Sequence, residues 1–539
     1  MSKSSFLIRQ SLFHRQRRHI AGSSSQQTST SPQRSNVAAP KLVAAVRPFN
    51  DIPGPIALPM LRHSAHVLPR IGSYHHTVGL GLLEGLRDKY GDLVRLAKAS
   101  RTRPVLYVFD PEMMREVYES YATEPPRFEK SPLCQHRKGV GHCPVHGDET
   151  KAIWAAIRAL LQDGSLLRSY DKVFDDIAAD ATRRLGDLRH AENALNEEIE
   201  TEIYRWAIET IGVMIFGIRL GCLDGAVHIP TPDNQKPEKT SLDDEIHDLC
   251  SLSKRSLEEL TPAERLVRCS RDIADGSYQV RSEATLNPEN PTFNRALKTF
   301  DRHFSLTEHF LIRALHSLSS GELRQEQVLL DKLRPLQRRI LPLAADILLA
   351  GVDPLAQTAL HMFYQLSLHA ARQQRAHDEV HWSIASRDAG AATPDLPYVA
   401  ACAREAMRLH PATGGVVRRN REAIVVGGYE IPAGVDIVLA HGVTSKSEKQ
   451  WGRANAFVPE RWCNEGWEPL KASRAHPLAS MPFGEACPAT GIVGKMLAAL
   501  TTRVLDKYRL EWHGPMPNVA TVGVNRLHPP YYFVLQNAA

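Results

Sequence analysis

Six long segments of this chain carry apolar residues at spacings of three and four, and this periodicity limits the possible folds more than any other feature. Residues at these spacings lie on one face of an α-helix. The segments are residues 82–90, 154–161, 170–188, 197–216, 341–368 and 399–409. A chain of 539 residues, 43% of them hydrophobic, can also bury a large core. The pattern predicts a mainly α-helical protein with one large domain, residues 50–539.

Strand-like stretches are short and few, so the predicted β portion is small. They cover residues 105–109, 423–431, 437–441 and 531–535. Gly427 and Gly428 can form a tight turn inside the second of these stretches. The segment 270–336 has the weakest periodicity and contains Pro288, Pro291, Ser319, Ser320 and Gly321. We therefore expect long loops and an exposed helix there.

The first fifty residues differ in composition from the rest. No acidic residue precedes Asp51, while the segment is rich in serine and carries Lys3, Arg9, Arg15, Arg17, Arg18 and Arg34. An apolar helical face opposite these charges can be formed by Phe6, Leu7, Ile8, Leu12 and Phe13. Such a start is typical of a mitochondrial transit peptide, which we predict for residues 1–45. A secretory signal is disfavoured because Arg9, His14 and Arg15 interrupt the apolar core. A basic tail without targeting function is the alternative.

Charge and cysteine content disfavour several other classes of protein. The net charge is +6, and no basic stripe of the kind used by nucleic-acid binders follows residue 50. Eight cysteines spread along the chain favour reduced thiols inside the cell over a disulfide scaffold. The most apolar segment is interrupted by Asp346, Asp353, Pro354 and Gln357, which disfavours a membrane-spanning helix. Peripheral contact with a membrane stays open.

Three motifs follow one another in the C-terminal third. The sequence ACAREAMRLHP places Glu405 and Arg408 three residues apart on a predicted helix, where the two side chains can pair. FVPERW then supplies Arg461, and MPFGEACPATG contains Cys487. A Glu-x-x-Arg pair alone is common on solvated helices, whereas all three motifs in this order are far more specific.

Together these motifs resemble the cytochrome P450 family, over roughly residues 50–537. The resemblance implies the cytochrome P450 fold, mainly α with a small β portion, and a haem-thiolate monooxygenase. The implied cofactor is haem b, with Cys487 as the axial iron ligand and Phe483 in the loop that presents it. A thiolate donates electron density to iron and favours O–O cleavage, which is why the ligand is a cysteine. The family's structural network carries over to Glu405, Arg408 and Arg461.

The ligand loop departs from the family pattern Phe-Gly-x-Gly-x-Arg-x-Cys. Phe483 and Gly484 match its start, but the Gly-x-Arg before the cysteine is missing. Loss of that arginine is expected to weaken contact with a haem propionate. Without a gap, the ligand position would fall on Thr490, which cannot bind iron as a thiolate does. Arg509 follows Cys487 at the family's distance, so a three-residue deletion is the simpler explanation. A buried, inert thiol is the alternative.

The segment ADILLAGVDPLAQT resembles the oxygen-activating helix of the family. It fits the pattern Ala-Gly-x-Asp-Thr-Thr at Ala350, Gly351 and Asp353. Pro354 and Leu355 replace the two threonines, and we expect the proline to kink the helix. Asp353 can still relay protons through water, and Thr358 or Gln357 can supply the missing polar group. We therefore predict catalytic roles for Asp353 and Thr358. The alternative is a P450-fold protein with impaired or lost oxygenase activity that binds lipid or haem.

Further haem contacts are implied by the same resemblance. Arg418 fits the arginine that reaches a propionate after the Glu-x-x-Arg helix. Trp154 and Arg158 resemble the propionate-binding pair of an earlier helix, although counting from Gly147 places the usual tryptophan at Thr150. A zinc-like group comprises Cys134, His136, His142, Cys143 and His146, but its spacing fits no closed structural zinc site.

Several features favour the mitochondrial branch of the family, namely the basic leader, residues 202–223 and the helix ending in MRLHP. That branch receives electrons from an acidic ferredoxin, reduced by NADPH-ferredoxin reductase, at basic residues around the Glu-x-x-Arg helix. Arg404 fits one such position, while Ala400 stands where a lysine is usual. The resemblance implies a peripheral enzyme on the matrix side of the inner membrane with a sterol-like, lipophilic substrate. Scattered matches to insect ecdysteroid hydroxylases point to ecdysteroid biosynthesis.

Overall fold

A computed structural model describes most of the chain after residue 45. The described residues are 46–55, 79–96, 103–125, 132–140, 148–190, 193–195, 198–225, 259–281, 291–321, 329–333, 339–388, 396–464, 467–485, 487–517, 519–522 and 524–538. All of them belong to one unit, Val46–Ala539. The predicted transit peptide, residues 1–45, lies outside the described residues.

Helices account for most of this structure, which confirms the predicted fold class. In chain order the helices are α1 (Leu80–Tyr90), α2 (Pro111–Glu119), α3 (Pro132–Gly139), α4 (Asp148–Leu160), α5 (Gly164–Ser169), α6 (Asp171–Asp187), α7 (Glu198–Phe216), α8 (Pro262–Arg281), α9 (Pro291–Ser319), α10 (Leu329–Leu333), α11 (Ile340–Leu368), α12 (Ala370–Asp388), α13 (Pro397–Leu409), α14 (His441–Thr444) and α15 (Val493–Lys507). The six periodic segments correspond to α1, α4, α6, α7, α11 and α13.

The expectation of long loops and an exposed helix over residues 270–336 was wrong. Helices α8 and α9 occupy much of this stretch, and α9 buries Phe300, Phe304 and Phe310 on one face. Pro291 is the first residue of α9, a position that tolerates proline because no intrahelical N–H bond is needed there. Pro291 and Ser319 are therefore the first and last residues of α9, and Ser320 and Gly321 follow it directly. The same residue types are also common in loops, which is why the sequence pattern predicted loops here.

The strands form small sheets beside the helices. They are β1 (Arg47–Pro48), β2 (Leu93–Leu96), β3 (Val105–Val108), β4 (Thr123–Glu124), β5 (Val416–Asn420), β6 (Ile424–Val426), β7 (Tyr429–Ile431), β8 (Asp436–Leu439), β9 (Tyr508–Trp512), β10 (Val519–Val522), β11 (Val524–Leu527) and β12 (Phe533–Asn537). The largest sheet has the order β2-β3-β8-β5-β4, with β3 and β8 parallel. The predicted turn joins β6 to β7, since Gly427 and Gly428 have positive φ angles of 57° and 79°.

Helix α11 lies at the centre of the main core. It packs against α7, α8, α9, α12 and α13 and against strands β9 and β11. Its core-facing residues include Leu348, Leu360 and Phe363, all buried. By length and apolar composition α11 is the one described helix that could cross a membrane. Its packing against five other helices makes it the core helix of this fold.

Candidate active site

Glu405 is the centre of a buried polar network at the side of α13. Arg408 donates to its two carboxylate oxygens from Nε at 2.9 Å and from Nη2 at 2.8 Å. Arg461 Nε donates to Oε1 at 3.0 Å. The Val458 N–H and the Trp462 indole N–H each add a bond of 3.0 Å. The Glu405, Arg408 and Arg461 side chains are 0% exposed. A buried carboxylate with this many donors is fully compensated for its lost hydration.

The two arginines of this network also bind backbone carbonyls. Arg408 Nη1 donates to Ser445 O at 2.6 Å and to Ala454 O at 2.8 Å. Arg461 Nη2 donates to Arg453 O at 2.8 Å. The network therefore fixes the chain after α14 against α13. The structure brings the three predicted residues together, and it adds Trp462, whose indole N–H needs a partner in a buried site.

Cys487 immediately precedes a short 3-10 helix, Pro488–Gly491, and its own backbone is extended. Its side chain is half-buried. Burial raises the pKa of the Cys487 thiol, while the Ala489 backbone N–H and the charge of Arg158 act in the opposite direction. Thr490 is exposed, and its hydroxyl donates to Cys487 O at 3.1 Å. Cys487 therefore has a more enclosed side chain than Thr490, the alternative ligand position.

The shortened loop before Cys487 turns at Gly484. This residue has a φ of 57°, a left-handed conformation that favours glycine, and its N–H bonds to Met481 O at 3.0 Å. Phe483 is half-buried, and Glu485 is exposed. The chain therefore still turns at Gly484 before Cys487, although the Gly-x-Arg of the family pattern is missing.

Helix α4 packs directly on the 3-10 helix that follows Cys487. A Cβ atom at Gly491 would lie only 2.9 Å from Leu161 O, so a glycine is needed for this close approach. Arg158 on α4 lies near enough to Cys487 for its charge to favour the thiolate. Trp154, one turn earlier, packs against the main core. The side chain of Thr150 lies outside the described residues, and α4 brings Arg158 to the cysteine.

Arg418 approaches the same loop from strand β5. Its guanidinium pairs with Glu485 and lies 5.3 Å from the ring centre of Tyr118. Its Nε is buried and has no hydrogen-bond partner among the described residues. An orphaned, buried N–H on an arginine is costly unless a further acceptor binds it. Arg418 is therefore suited to an additional carboxylate.

Tyr118 and His441 form a neutral pair beside Arg418. The Tyr118 hydroxyl and His441 Nε2 are 2.8 Å apart, and His441 Nδ1 lies 2.8 Å from Leu478 O. A carbonyl can only accept, so Nδ1 carries the hydrogen and Nε2 accepts from Tyr118. Burial raises the pKa of Tyr118 to about 12 and lowers that of His441 to about 4. No motif in the sequence indicated this pair.

Asp353 on α11 has one carboxylate oxygen held by two donors. Arg526 Nη2 donates to Oδ1 at 3.0 Å, and the Tyr204 hydroxyl donates to the same oxygen. Arg526 Nη2 also bonds the Tyr204 hydroxyl oxygen at 3.1 Å. Burial raises the pKa of Tyr204 well above its usual value, so its hydroxyl keeps its hydrogen. Sequence reasoning missed both partners, which lie far from Asp353 along the chain.

The residues proposed to replace the missing threonines are already engaged in other bonds. Helix α11 continues through Pro354, and Thr358 Oγ1 donates to Pro354 O at 2.6 Å. Gln357 Nε2 donates to Glu200 Oε1 at 3.0 Å, and Gln357 Oε1 accepts from the Leu527 N–H at 3.1 Å. Both side chains therefore have structural partners.

A cavity of about 190 Å³ lies between α8 and α11. Its apolar lining comes mainly from α11, and it reaches Thr413 after α13 and Val524 on β11. Polar side chains enter the lining at Asp353, Ser270 and Thr413. Thr358 is not among the described residues that line it. Of the two predicted catalytic residues, only Asp353 reaches the cavity.

The remaining candidates lie elsewhere. Arg404 is exposed on α13. Cys134 is buried, and His136 Nε2 lies 2.8 Å from Asp301 Oδ1. The other members of the zinc-like group, His142, Cys143 and His146, lie outside the described residues.

The sequence matches the family model described as cytochrome P450 over residues 66–534. The chain belongs to the cytochrome P450 family. This P450 is similar to two Drosophila melanogaster proteins, "Probable cytochrome P450 49a1" and "Probable cytochrome P450 301a1, mitochondrial". Their identities are 24% and 25%, over 87% and 88% of this chain and 80% and 84% of theirs. The human "25-hydroxyvitamin D-1 alpha hydroxylase, mitochondrial" is 27% identical over 80% of this chain and 81% of its own length.

P450 enzymes are monooxygenases that bind haem b through a cysteine thiolate. The residues of this P450 fit that cofactor on two observations. The orphaned Nε of Arg418 is a buried donor suited to a haem carboxylate. The half-buried thiol of Cys487 stands just before the 3-10 helix on which α4 packs, at the position that the family pattern gives to the iron ligand. Burial raises the pKa of this thiol, and the Ala489 N–H and the charge of Arg158 act against that rise.

Proposed function

We propose that this P450 is a mitochondrial monooxygenase that hydroxylates a sterol- or steroid-like lipophilic substrate with O2 and electrons from a ferredoxin. The single observation that carries the proposal is the half-buried Cys487 thiol, which immediately precedes the 3-10 helix on which α4 packs. The substrate class is supported by the largely apolar cavity and by the similarity to a vitamin D hydroxylase. An ecdysteroid precursor is one such substrate, in line with the sequence resemblance.

Cys487 is the proposed axial ligand of the haem, with Phe483 beside it in the ligand loop. The bound haem supplies the oxygen-activating chemistry, and the chain supplies its orientation and charge. Arg418 and the Trp154–Arg158 pair are the proposed partners of the haem carboxylates. Arg418 takes over part of the role of the missing loop arginine, because its guanidinium reaches the same loop from β5.

Asp353 is the proposed proton carrier of this site. Its carboxylate lines the cavity and is fixed by Arg526 and Tyr204, so it can exchange protons with water from a constant position. Thr358 is the weaker candidate, because its hydroxyl hydrogen is committed to the Pro354 carbonyl.

Electron delivery is proposed to use an acidic ferredoxin, itself reduced by NADPH-ferredoxin reductase. Arg404 is exposed beside the Glu405 network and can attract such a partner through its charge. A location on the matrix side of the inner mitochondrial membrane, with peripheral contact, follows from this partner and from the basic leader. The mitochondrial relatives support this location.

A P450-fold protein without oxygenase activity is the less well-supported alternative. The replaced threonines and the shortened loop are its basis. The similarity to a named hydroxylase and the fit of Arg418 and Cys487 to a haem favour the enzyme.

A reduced carbon monoxide difference spectrum tests the proposed function. Purified protein is expected to absorb near the position of thiolate-ligated haem. Cys487→Ser is expected to lose this absorption entirely, because a hydroxyl does not replace a thiolate on the iron. Thr490→Val is the matched control in the same loop and should keep it. A wild-type protein that retains no haem, or a spectrum that depends on Thr490, would contradict the proposal.

A further inference from the structure

The two oxygens of the Asp353 carboxylate have different surroundings. Oδ1 accepts from Arg526 Nη2 at 3.0 Å and from the Tyr204 hydroxyl. No described residue donates to Oδ2, although Asp353 lines the cavity. The carboxylate therefore offers the cavity one fixed acceptor oxygen with no donor of its own.

Pro354 removes one backbone donor from α11 next to Asp353. Proline has no N–H, so the usual helical bond to the carbonyl four residues earlier, that of Ala350, cannot form. Ala350 and Pro354 both line the cavity. The cavity thus combines apolar walls with the Asp353 carboxylate as an acceptor, while Ser270 and Thr413 can both donate and accept.

We propose that Asp353 Oδ2 binds a hydroxyl group of the substrate, so that this cavity selects an apolar molecule carrying a hydroxyl over the matching ketone. Arg526 and Tyr204 are positioning residues, because both act on the ligand only through Oδ1 of Asp353. The inference rests on the proposed function in taking this cavity as the substrate site, and it adds the chemical group that the site recognises.

Because Oδ1 of Asp353 is held by two donors and Oδ2 has none among the described residues, one substitution can exchange the acceptor that faces the cavity for a donor. In Asp353→Asn, the amide oxygen is expected to stay at the Oδ1 position, because Arg526 and Tyr204 both donate there. The amide nitrogen then takes the Oδ2 position and presents a donor to the cavity. The substitution should therefore reverse the preference from alcohol to ketone.

The test compares 2-adamantanol with 2-adamantanone, two probes that share one compact apolar cage and differ in the polar group. Binding to the purified full-length protein is measured by calorimetry. Wild type is expected to bind the alcohol about 10-fold more tightly than the ketone, as for a hydrogen bond to a charged acceptor. Asp353→Asn is expected to favour the ketone.

Tyr204→Phe tests the positioning role and remains informative where the first variant does not fold. It removes one of the two donors on Oδ1 and keeps the ring, so the ratio of alcohol to ketone affinity should fall several-fold. Ketone affinity itself should change little, which separates positioning from general damage to the cavity. Ser367→Ala is the matched control and should leave the ratio unchanged, because Ser367 lies on α11 like Asp353 but donates its hydroxyl to Tyr364 O at 2.7 Å.

Three results would overturn the proposal. They are a wild-type protein that binds neither probe, a wild-type ratio near one, and an alcohol preference that persists in Asp353→Asn. Because calorimetry does not depend on the state of the iron, these results are independent of the carbon monoxide spectrum. A lost spectrum with an intact alcohol preference would reject the proposed function and leave the recognition site standing.

Discussion

The network around Glu405 and the region around Cys487 are both assembled from family motifs, but they differ in how well the chain satisfies its own polar groups. Glu405, Arg408 and Arg461 are fully buried, and Glu405 accepts from four residues. By contrast, Cys487 is half-buried, and Arg418 has a buried Nε without a partner among the described residues.

This difference separates residues that stabilise the fold from residues that await a ligand. A network closed within the chain can be complete in the folded protein alone, because both partners of every bond are amino acids. A cofactor site retains open donors, because their partner is not part of the chain. The departures from the family pattern, at the shortened loop and at Pro354, also lie outside the Glu405 network.

The largest expected effect comes from removing the centre of the closed network. Glu405→Ala leaves two arginines buried without their carboxylate and should cost about 3–5 kcal/mol of unfolding free energy. Chemical denaturation at neutral pH measures this cost. Arg183→Gln is the control, since its ion pair with Asp180 is exposed and should matter by less than about 0.5 kcal/mol. A cost for Glu405→Ala as small as that of the control would mean that the Glu405 network does not stabilise the fold. Glu405→Gln is measured in its place where the alanine variant does not fold.

A smaller effect is expected in the region around Cys487 and Arg418. There the substitution should change how well the protein retains haem and should change its stability little. Arg418→Gln should speed the transfer of haem to an excess of apomyoglobin by about 10- to 100-fold, the value of a charge-assisted hydrogen bond. Arg419→Gln is the matched control, because Arg419 is the next residue of β5 and pairs instead with Asp436 at 2.6 Å. Equal rates of haem loss in the two variants would mean that Arg418 does not hold a haem carboxylate.

The smallest effect is expected at the exposed edge of the closed network. Arg404→Glu should weaken binding of an acidic ferredoxin by about 5-fold at low salt, with little change at high salt where surface charges are screened. Surface plasmon resonance at two ionic strengths measures the difference. Arg183→Glu, an equal charge reversal on α6, should leave binding unchanged. The same loss from both variants would indicate a general charge effect with no docking site at Arg404.

Much of the fold could be predicted from local patterns. The periodicity of six segments located α1, α4, α6, α7, α11 and α13, because a buried helical face repeats within a few residues. The long helices α8 and α9 were missed, since the stretch has weak periodicity and Pro291, Ser319 and Ser320 at the ends of α9 are residue types that also favour loops. Helix ends and loops use the same residue types, and sequence alone did not separate them here.

The sequence by itself determined the family, through Glu405, Arg408, Arg461 and Cys487 in their order. Only the tertiary structure decided what surrounds them: Arg526 and Tyr204 on one oxygen of Asp353, and Tyr118 on His441. The physical reason is distance along the chain. Motifs and periodicity reflect neighbours within a few residues, whereas these contacts join segments more than a hundred residues apart. Tyr204, Asp353 and Arg526 meet only because α7, α11 and β11 pack together.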